Sequence, residues 1–258
     1  ESNGGVEGVV LTLRDNGGQA VQTVETAQDG TYTLSGLASG SYNLVPFKEG
    51  FSFDPSSRNI TIDDVDQTGV DFTASSNFLT LNLRLHLEEE EGTATSRPYG
   101  NLTFDLYIGL SAENLSAPVF VKRGNFIEGF GENASGRITV PKKTLEAGKS
   151  YTVFIKTPRH LSQSAPLSIE SNQTVYSVVF PELLAGDIAP PNERDDLINI
   201  FDFKVFLEAY NSTTNLLADF DNNGKVNVGD FIFLLRNYAK SGELPERIGF
   251  WLQQNTPS

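Results

Sequence analysis

The chain has 258 residues, no cysteine and no methionine, and 33 acidic against 19 basic side chains give a formal net charge of −14. Without cysteine there is no disulfide, thiol nucleophile or cysteine-based zinc site, and the acidity argues against nucleic acid, which calls for a basic footprint. No apolar run approaches the roughly 18 residues of a membrane helix. The start at Glu1 without any methionine reads as a processed product whose signal segment is gone.

In chain order, residues 1–75 come first, with short alternating runs broken by turn residues, the pattern of an all-β domain. The predicted strands are Val9–Leu13, Ala20–Ala27, Thr31–Ser35, Ser41–Pro46, Asn59–Ile62 and Val70–Thr73. Asn16-Gly17-Gly18 and Asp29-Gly30 supply turns, since these residues tolerate positive φ. The run from Asp29-Gly30-Thr31-Tyr32 through Leu37 and Gly40-Ser41-Tyr42 to Gly50-Phe51 resembles the carboxypeptidase-regulatory-like (prealbumin-like) family. That resemblance implies a non-catalytic β-sandwich. It also implies an opening strand that is missing here, because only Glu1–Gly5 precede the matched part. A sandwich without an edge strand is a template for pairing with another chain.

Residues 76–183 predict a second β-sandwich. Leu79, Leu81, Leu83, Leu85 and Leu87 alternate strictly with polar residues. Further strands are expected at Leu102–Gly109, Val119–Arg123, Ser135–Val140, Tyr151–Thr157 and Thr174–Val179. Glu88–Glu91 read as a solvated charged turn, with calcium binding the alternative. His160 reads as an ordinary loop histidine, with a ligand or base role the alternative. Tyr99, Tyr107, Phe126 and Phe130 are candidates for a carbohydrate-binding face, with core packing the competing role.

The sharpest motif is Asp219–Asp230, D-F-D-N-N-G-K-V-N-V-G-D. Side-chain oxygens at Asp219, Asp221, Asn223, Asn227 and Asp230, the Lys225 carbonyl, and Gly224 at the sharp turn fit a calcium loop, where six to eight oxygens surround one hard cation. A near copy lies upstream. Asn199–Tyr210 aligns with Asn227–Tyr238 at a constant offset of 28. Its loop, Asp187 to Asp202, spans sixteen positions and contains the apparent insertion Ala189–Arg194. Asp187, Asp195, Asn199 and Asp202 are its candidate ligands with Leu197 as carbonyl donor, and Asn192 is a further oxygen source. The alternative is a degenerate loop without metal.

These tandem loop-helix units, residues 184–240, resemble the dockerin family. The resemblance implies two calcium ions and a cohesin partner contacted just before each closing aspartate, here at Ile200-Phe201 and Val228-Gly229. Internal packing of Phe201 is the competing reading. The tail, residues 241–258, holds the only tryptophan and alternates Ile248, Phe250 and Leu252 beside Trp251. It is either a donor strand for the first domain of another copy, giving a head-to-tail filament, or a segment folded back on its own helices.

The expected fold is therefore mainly β, two β-sandwich domains followed by a small α-helical dockerin-like calcium-binding unit. The expected function is an extracellular, calcium-dependent assembly or adhesion protein of a cell surface. Its partners would be other copies of itself, a cohesin-like domain or glycans. No enzyme is expected, since there is no G-x-S-x-G and no catalytic domain remains once these modules are assigned. Asn59, Asn101, Asn114, Asn133, Asn172 and Asn211 are glycosylation candidates in N-x-S/T sequons.

Overall fold

The computed structural model describes residues 4–63, 65–88, 103–110, 118–128, 134–189, 195–221 and 223–243. They are mainly β and fall into two compact units, Glu1–Phe78 and Leu79–Ser258. The first unit has strands β1 (Val10–Arg14), β2 (Ala20–Glu25), β3 (Gly40–Phe47), β4 (Phe51–Asp54), β5 (Arg58–Ile62) and β6 (Thr73–Ser76). Four of them make a sheet in the order β2-β1-β3-β5, and β4 pairs with β6 in a separate ladder. Period-2 alternation sends Leu11, Leu13 and Leu44 into the core, where Tyr32, Leu34, Leu37, Ile60 and Phe72 pack on them. The β1–β2 turn closes as its composition predicts. Asp15 Oδ1 accepts the Gly17 and Gln19 N–H groups, each at 2.9 Å, and Gly18 has φ +80°.

Three elements of this unit differ from the sequence reading, and of the expected strand Val70–Thr73 only Thr73 lies in a strand, β6. Thr31–Ser35 joins no ladder, although Tyr32 and Leu34 do face the core. Its alternation reflects burial on one side, not strand pairing. Phe51–Asp54, whose apolar content is only two phenylalanines, does pair, because Ser76 to Thr73 lie alongside in antiparallel register.

The second unit's strands are β7 (Phe78–Leu87), β8 (Thr103–Gly109), β9 (Phe120–Glu128), β10 (Ala134–Pro141), β11 (Ser150–Lys156), β12 (Gln163–Ser168) and β13 (Val175–Leu183). They form one ladder in the order β12-β11-β8-β9-β10-β7-β13. The β7–β13 pair is parallel. The end strands β12 and β13 lie against each other, so the sheet wraps around its own core. The five alternating leucines of β7 are all at least 97% buried, against Phe104, Leu106, Val153, Ile155 and Val178. Gly124 and Gly136 are there because Phe104 needs the room. A Cβ at Gly124 would lie 2.5 Å from Phe104 Cζ, and one at Gly136 2.7 Å from Phe104 Cε1.

Two ten-residue helices follow, α1 (Ile200–Ala209) and α2 (Val228–Asn237). Each starts in a capping box in which an asparagine, Asn199 or Asn227, caps the helix while Asp202 or Asp230 at N3 reaches back. Their core is Ile188, Ile198, Phe206, Ala218, Phe220, Val226 and Phe233, with Leu161 contributed by the β11–β12 turn. The two halves brace each other reciprocally. Val226 exchanges backbone bonds with Asn211 and Ser212 after α1, and Ile198 with Ala239 and Lys240 after α2. Asn211 and Ala239, at the same place in each half, both have positive φ. Among the described residues no helix is long and apolar enough to cross a membrane.

Candidate metal centre

The second loop, Asp219–Asp230, gathers three buried carboxylates. Ligand atoms of Asp219, Asp221 and Asp230 all lie within 4.8 Å of one another. Asp230 is completely buried, and its two oxygens close the loop. Oδ1 accepts the N–H groups of Phe220 (2.6 Å) and Asp221 (3.1 Å), and Oδ2 accepts that of Asn227 (2.8 Å). Gly224, at φ +89°, turns its N–H onto Asp219 Oδ2 at 3.0 Å. Asn223 Oδ1 accepts from Lys225 N at 3.0 Å, and Asn227 Nδ2 donates to the Lys225 carbonyl at 3.0 Å. The loop's expected ligands are thus strung on one short network around the carboxylates.

Electrostatics point the same way. Burial pushes the Asp219 carboxyl above its ordinary range, against the Gly224 N–H, and the nearby Asp230 charge pushes further. Burial also raises Asp230, against the N–H groups of Asn227, Asp221 and Phe220. Three clustered carboxylates repel one another unless a cation neutralises them. Asp219 Oδ1 is buried and, among the described residues, has no hydrogen-bond partner. A buried oxygen aimed at no donor is what a metal ligand looks like before its metal is counted. The residues present fit a hard dication.

One contributor escaped the sequence reading. A Cβ on Gly229 would stand 2.8 Å from Asp221 Oδ2, so glycine there clears space for a ligand. The equivalent residue of the first half is Phe201.

The first loop closes by the same bonds despite its insertion. Asp202 Oδ1 accepts from Ile188 (2.7 Å) and Ala189 (2.8 Å), and Oδ2 from Asn199 (2.8 Å). Asp195 Oδ1 accepts from Leu197 N at 3.2 Å, as Asn223 does from Lys225. Asp196, at φ +55°, takes the place of Gly224. Two differences remain. Ala189 stands where the second loop has Asp221. Lys156 Nζ lies 2.7 Å from Asp187 Oδ2, where the second loop uses a glycine N–H. Burial raises the Asp187 carboxyl, and the Lys156 charge opposes that rise. Asn192 and the rest of 190–194 lie outside the described residues.

The end of β11 and the turn after it join the sheet to both loops. Lys156 reaches Asp187, and Arg159 Nη1 donates to the Asp219 carbonyl at 2.7 Å. Glu88 corrects the expectation of a solvated turn, since it is only 6% exposed. Its Oε2 accepts from Ala185 N (3.0 Å) and the Asn237 amide, and Oε1 from Arg236 Nη1 (3.3 Å). Those donors offset the cost of burying its charge. Glu89, Glu90 and Glu91 lie outside the described residues.

His160 is likewise no ordinary loop residue. It is 2% exposed, and its Nδ1 is 2.7 Å from Thr157 Oγ1. Burial holds its pKa well below the usual 6.5, with the Arg159 and Lys156 charges acting in the same direction. The folded ring stays neutral where the unfolded chain takes a proton. That stability is fully present above pH 6.5 and is lost as pH falls through and below it. The loss is expected at up to about 1.4 kcal/mol per pH unit. Urea titrations from pH 7.5 to 5 should show that slope in the wild type and lose it in His160→Gln; an unchanged slope contradicts the assignment.

The remaining expected sites divide. Ile200 and Phe201 are 58% and 50% exposed, so Phe201 is not packed inside. Ile248, Phe250, Trp251 and Leu252 lie outside the described residues, as do Asn101, Asn114 and Asn133. Asn59, Asn172 and Asn211 are exposed. Tyr107 and Phe126 are core residues, 3% and 5% exposed, and offer no binding face; Tyr99 and Phe130 lie outside the described residues.

Part of the chain is similar in sequence to known proteins. Residues 1–94 match the SdrD B-like domain family. The match covers the segment expected to be a prealbumin-like sandwich and ends before both loops. A stretch of 80 residues is 35% identical to serine-aspartate repeat-containing protein F of Staphylococcus epidermidis. That stretch is 31% of this chain, and the chain spans only 4% of the relative's length. Among solved structures, a chain of a type II cohesin–X-dockerin complex from Acetivibrio cellulolyticus aligns over 64% of this chain and 97% of its own, at 19% identity and TM-score 0.41. The minor pilin GBS52 of Streptococcus agalactiae aligns over 70% and 84%, at 18% identity and TM-score 0.25.

Proposed function

We propose that the chain is a non-enzymatic structural module of an extracellular surface protein, whose calcium-stabilised loop-helix pair docks a cohesin-like domain. The observation that carries this is an apolar face repeated on both helices. Ile200 and Val228, Leu207 and Leu235, and Tyr210 and Tyr238 stand 28 residues apart and are all between 45% and 64% exposed. Phe201 and Ile232 extend the face, at 50% and 46%. Ten-residue helices that already bury Phe206, Phe233 and Leu234 gain nothing from exposing a second apolar side, unless a partner covers it.

Calcium supplies charge neutralisation and fixes the loop that starts each helix. Asp219, Asp221, Asn223, the Lys225 carbonyl, Asn227 and Asp230 would hold it in the second loop, and Asp187, Asp195, the Leu197 carbonyl, Asn199 and Asp202 a second ion in the first. The head-to-tail filament expected from the sequence rests on residues 248–252, and no described residue favours it over docking.

Surface plasmon resonance of the full chain against a panel of cohesin-like domains, with calcium present, tests the reading. Leu207→Asp combined with Leu235→Asp is expected to weaken binding by about 100-fold or more while leaving the melting curve in place. Failure of every domain to bind the wild type, or full affinity in the double variant, contradicts it.

A further inference from the structure

We propose that the outer face of β10, β7 and β13 binds an acidic saccharide, with Arg84 and Arg137 taking the carboxylate of a uronate ring. The site does not depend on the calcium or the cohesin reading. These three strands are neighbours in the sheet and turn Leu83, Ile138 and Val178 into the core. Alternation therefore leaves Asn82, Arg84, Ser135, Arg137 and Ser177 on the opposite face, where they line a cleft of about 350 Å³. That size lies at the lower end of the roughly 300–1,000 Å³ of small-ligand sites. Arg137 Nε donates to Asn82 Oδ1 at 3.1 Å, which draws its guanidinium towards β7.

Among the described residues neither Arg84 nor Arg137 is paired with a carboxylate, whereas Arg123 and Arg236 are, with Asp105 and Glu88. The carboxylate of Glu182, on β13, lies against His86 instead, at 3.8 Å. Two such guanidiniums on one face of a chain with net charge −14 mark a local anion site, not a generally basic surface. A guanidinium presents planar, paired N–H donors that match a carboxylate. Asn82 and Ser177, opposite each other in register, supply neutral partners for sugar hydroxyls. Val179, opposite Arg84 and 61% exposed, supplies an apolar surface for the C–H face of a ring. β7 is an interior strand, paired on both sides, so its backbone offers nothing to an added peptide strand. Recognition by side chains alone, in a cleft this small, favours an acidic sugar over an acidic peptide.

Titration calorimetry of the full chain at constant calcium tests this. The probes are digalacturonate, a glucuronate disaccharide, the carboxyl-reduced form of each, and tetraglutamate. At least one uronate is expected to bind, at least about 10-fold tighter than its reduced form and than tetraglutamate. Arg84→Gln combined with Arg137→Gln should weaken it by at least about 10-fold with the melting curve unchanged, since both side chains are exposed. Val179→Glu sets a competing carboxylate opposite Arg84 and should weaken binding in the same sense; it decides the matter if the double variant fails to fold. No binding of either uronate, equal binding of its reduced form, or full affinity in a variant that folds overturns the proposal. Tetraglutamate bound as tightly as the uronates overturns the saccharide assignment in favour of an acidic peptide.

Discussion

Asp230→Ala is expected to destabilise the second unit by about 3 kcal/mol or more and to abolish calcium binding at the second loop. Asp230 is fully buried and satisfies three backbone donors, those of Phe220, Asp221 and Asn227. Alanine leaves all three N–H groups without an acceptor, and each buried unsatisfied donor costs about 1–3 kcal/mol. It also removes the N3 half of the capping box of α2. Asp230→Asn retains one acceptor and should fall between the two. The measurement is chemical denaturation with and without calcium. An Asp230→Ala protein that unfolds at the wild-type midpoint and gains as much from calcium refutes this role.

The second large effect is at Glu88, remote from the loops in sequence. Glu88→Ala is expected to cost about 3–5 kcal/mol, because it strips one partner from a buried charged network. The Ala185 N–H and the Asn237 amide would lose their carboxylate, and Arg236 its ion pair. Asn237 would keep only its bond to the Ala185 carbonyl, 2.9 Å. Since Glu88 follows β7 and Asn237 ends α2, the break should separate helix unfolding from sheet unfolding. Circular dichroism at helix and sheet wavelengths should then show two transitions where the wild type shows one. A loss below about 0.5 kcal/mol, the range of ordinary surface substitutions, contradicts it.

What was legible in the sequence was local. The alternation of Leu79 to Leu87 predicted β7 at its observed bounds, and one face of it is buried throughout. The spacing of Asp219 to Asp230 predicted the carboxylate cluster, because all its geometry lies within twelve residues. The offset of 28 predicted the paired helices, though not the capping boxes that open them. What was missed depends on partners far along the chain. Strand β12, with polar and small residues and Pro166, exists because β11 pairs with it over six positions. Glu88 looks like the start of an acidic run until Asn237, 149 residues away, is placed beside it. Lys156 and Arg159 sit in a plain strand end, and nothing local marks them as contacts of two loops. Thr31–Ser35 fails in the opposite sense, since alternation reports one-sided burial whether or not a neighbouring strand is present.

The central claim is that calcium on buried carboxylates stabilises the unit bearing the exposed helix face. Thermal unfolding of the full chain in calcium and in chelator measures it most directly. At free calcium about 100-fold above the dissociation constant, the second unit should gain roughly 2.7 kcal/mol from the second loop, with a correspondingly higher unfolding midpoint. Superimposable unfolding curves in calcium and chelator would contradict the account.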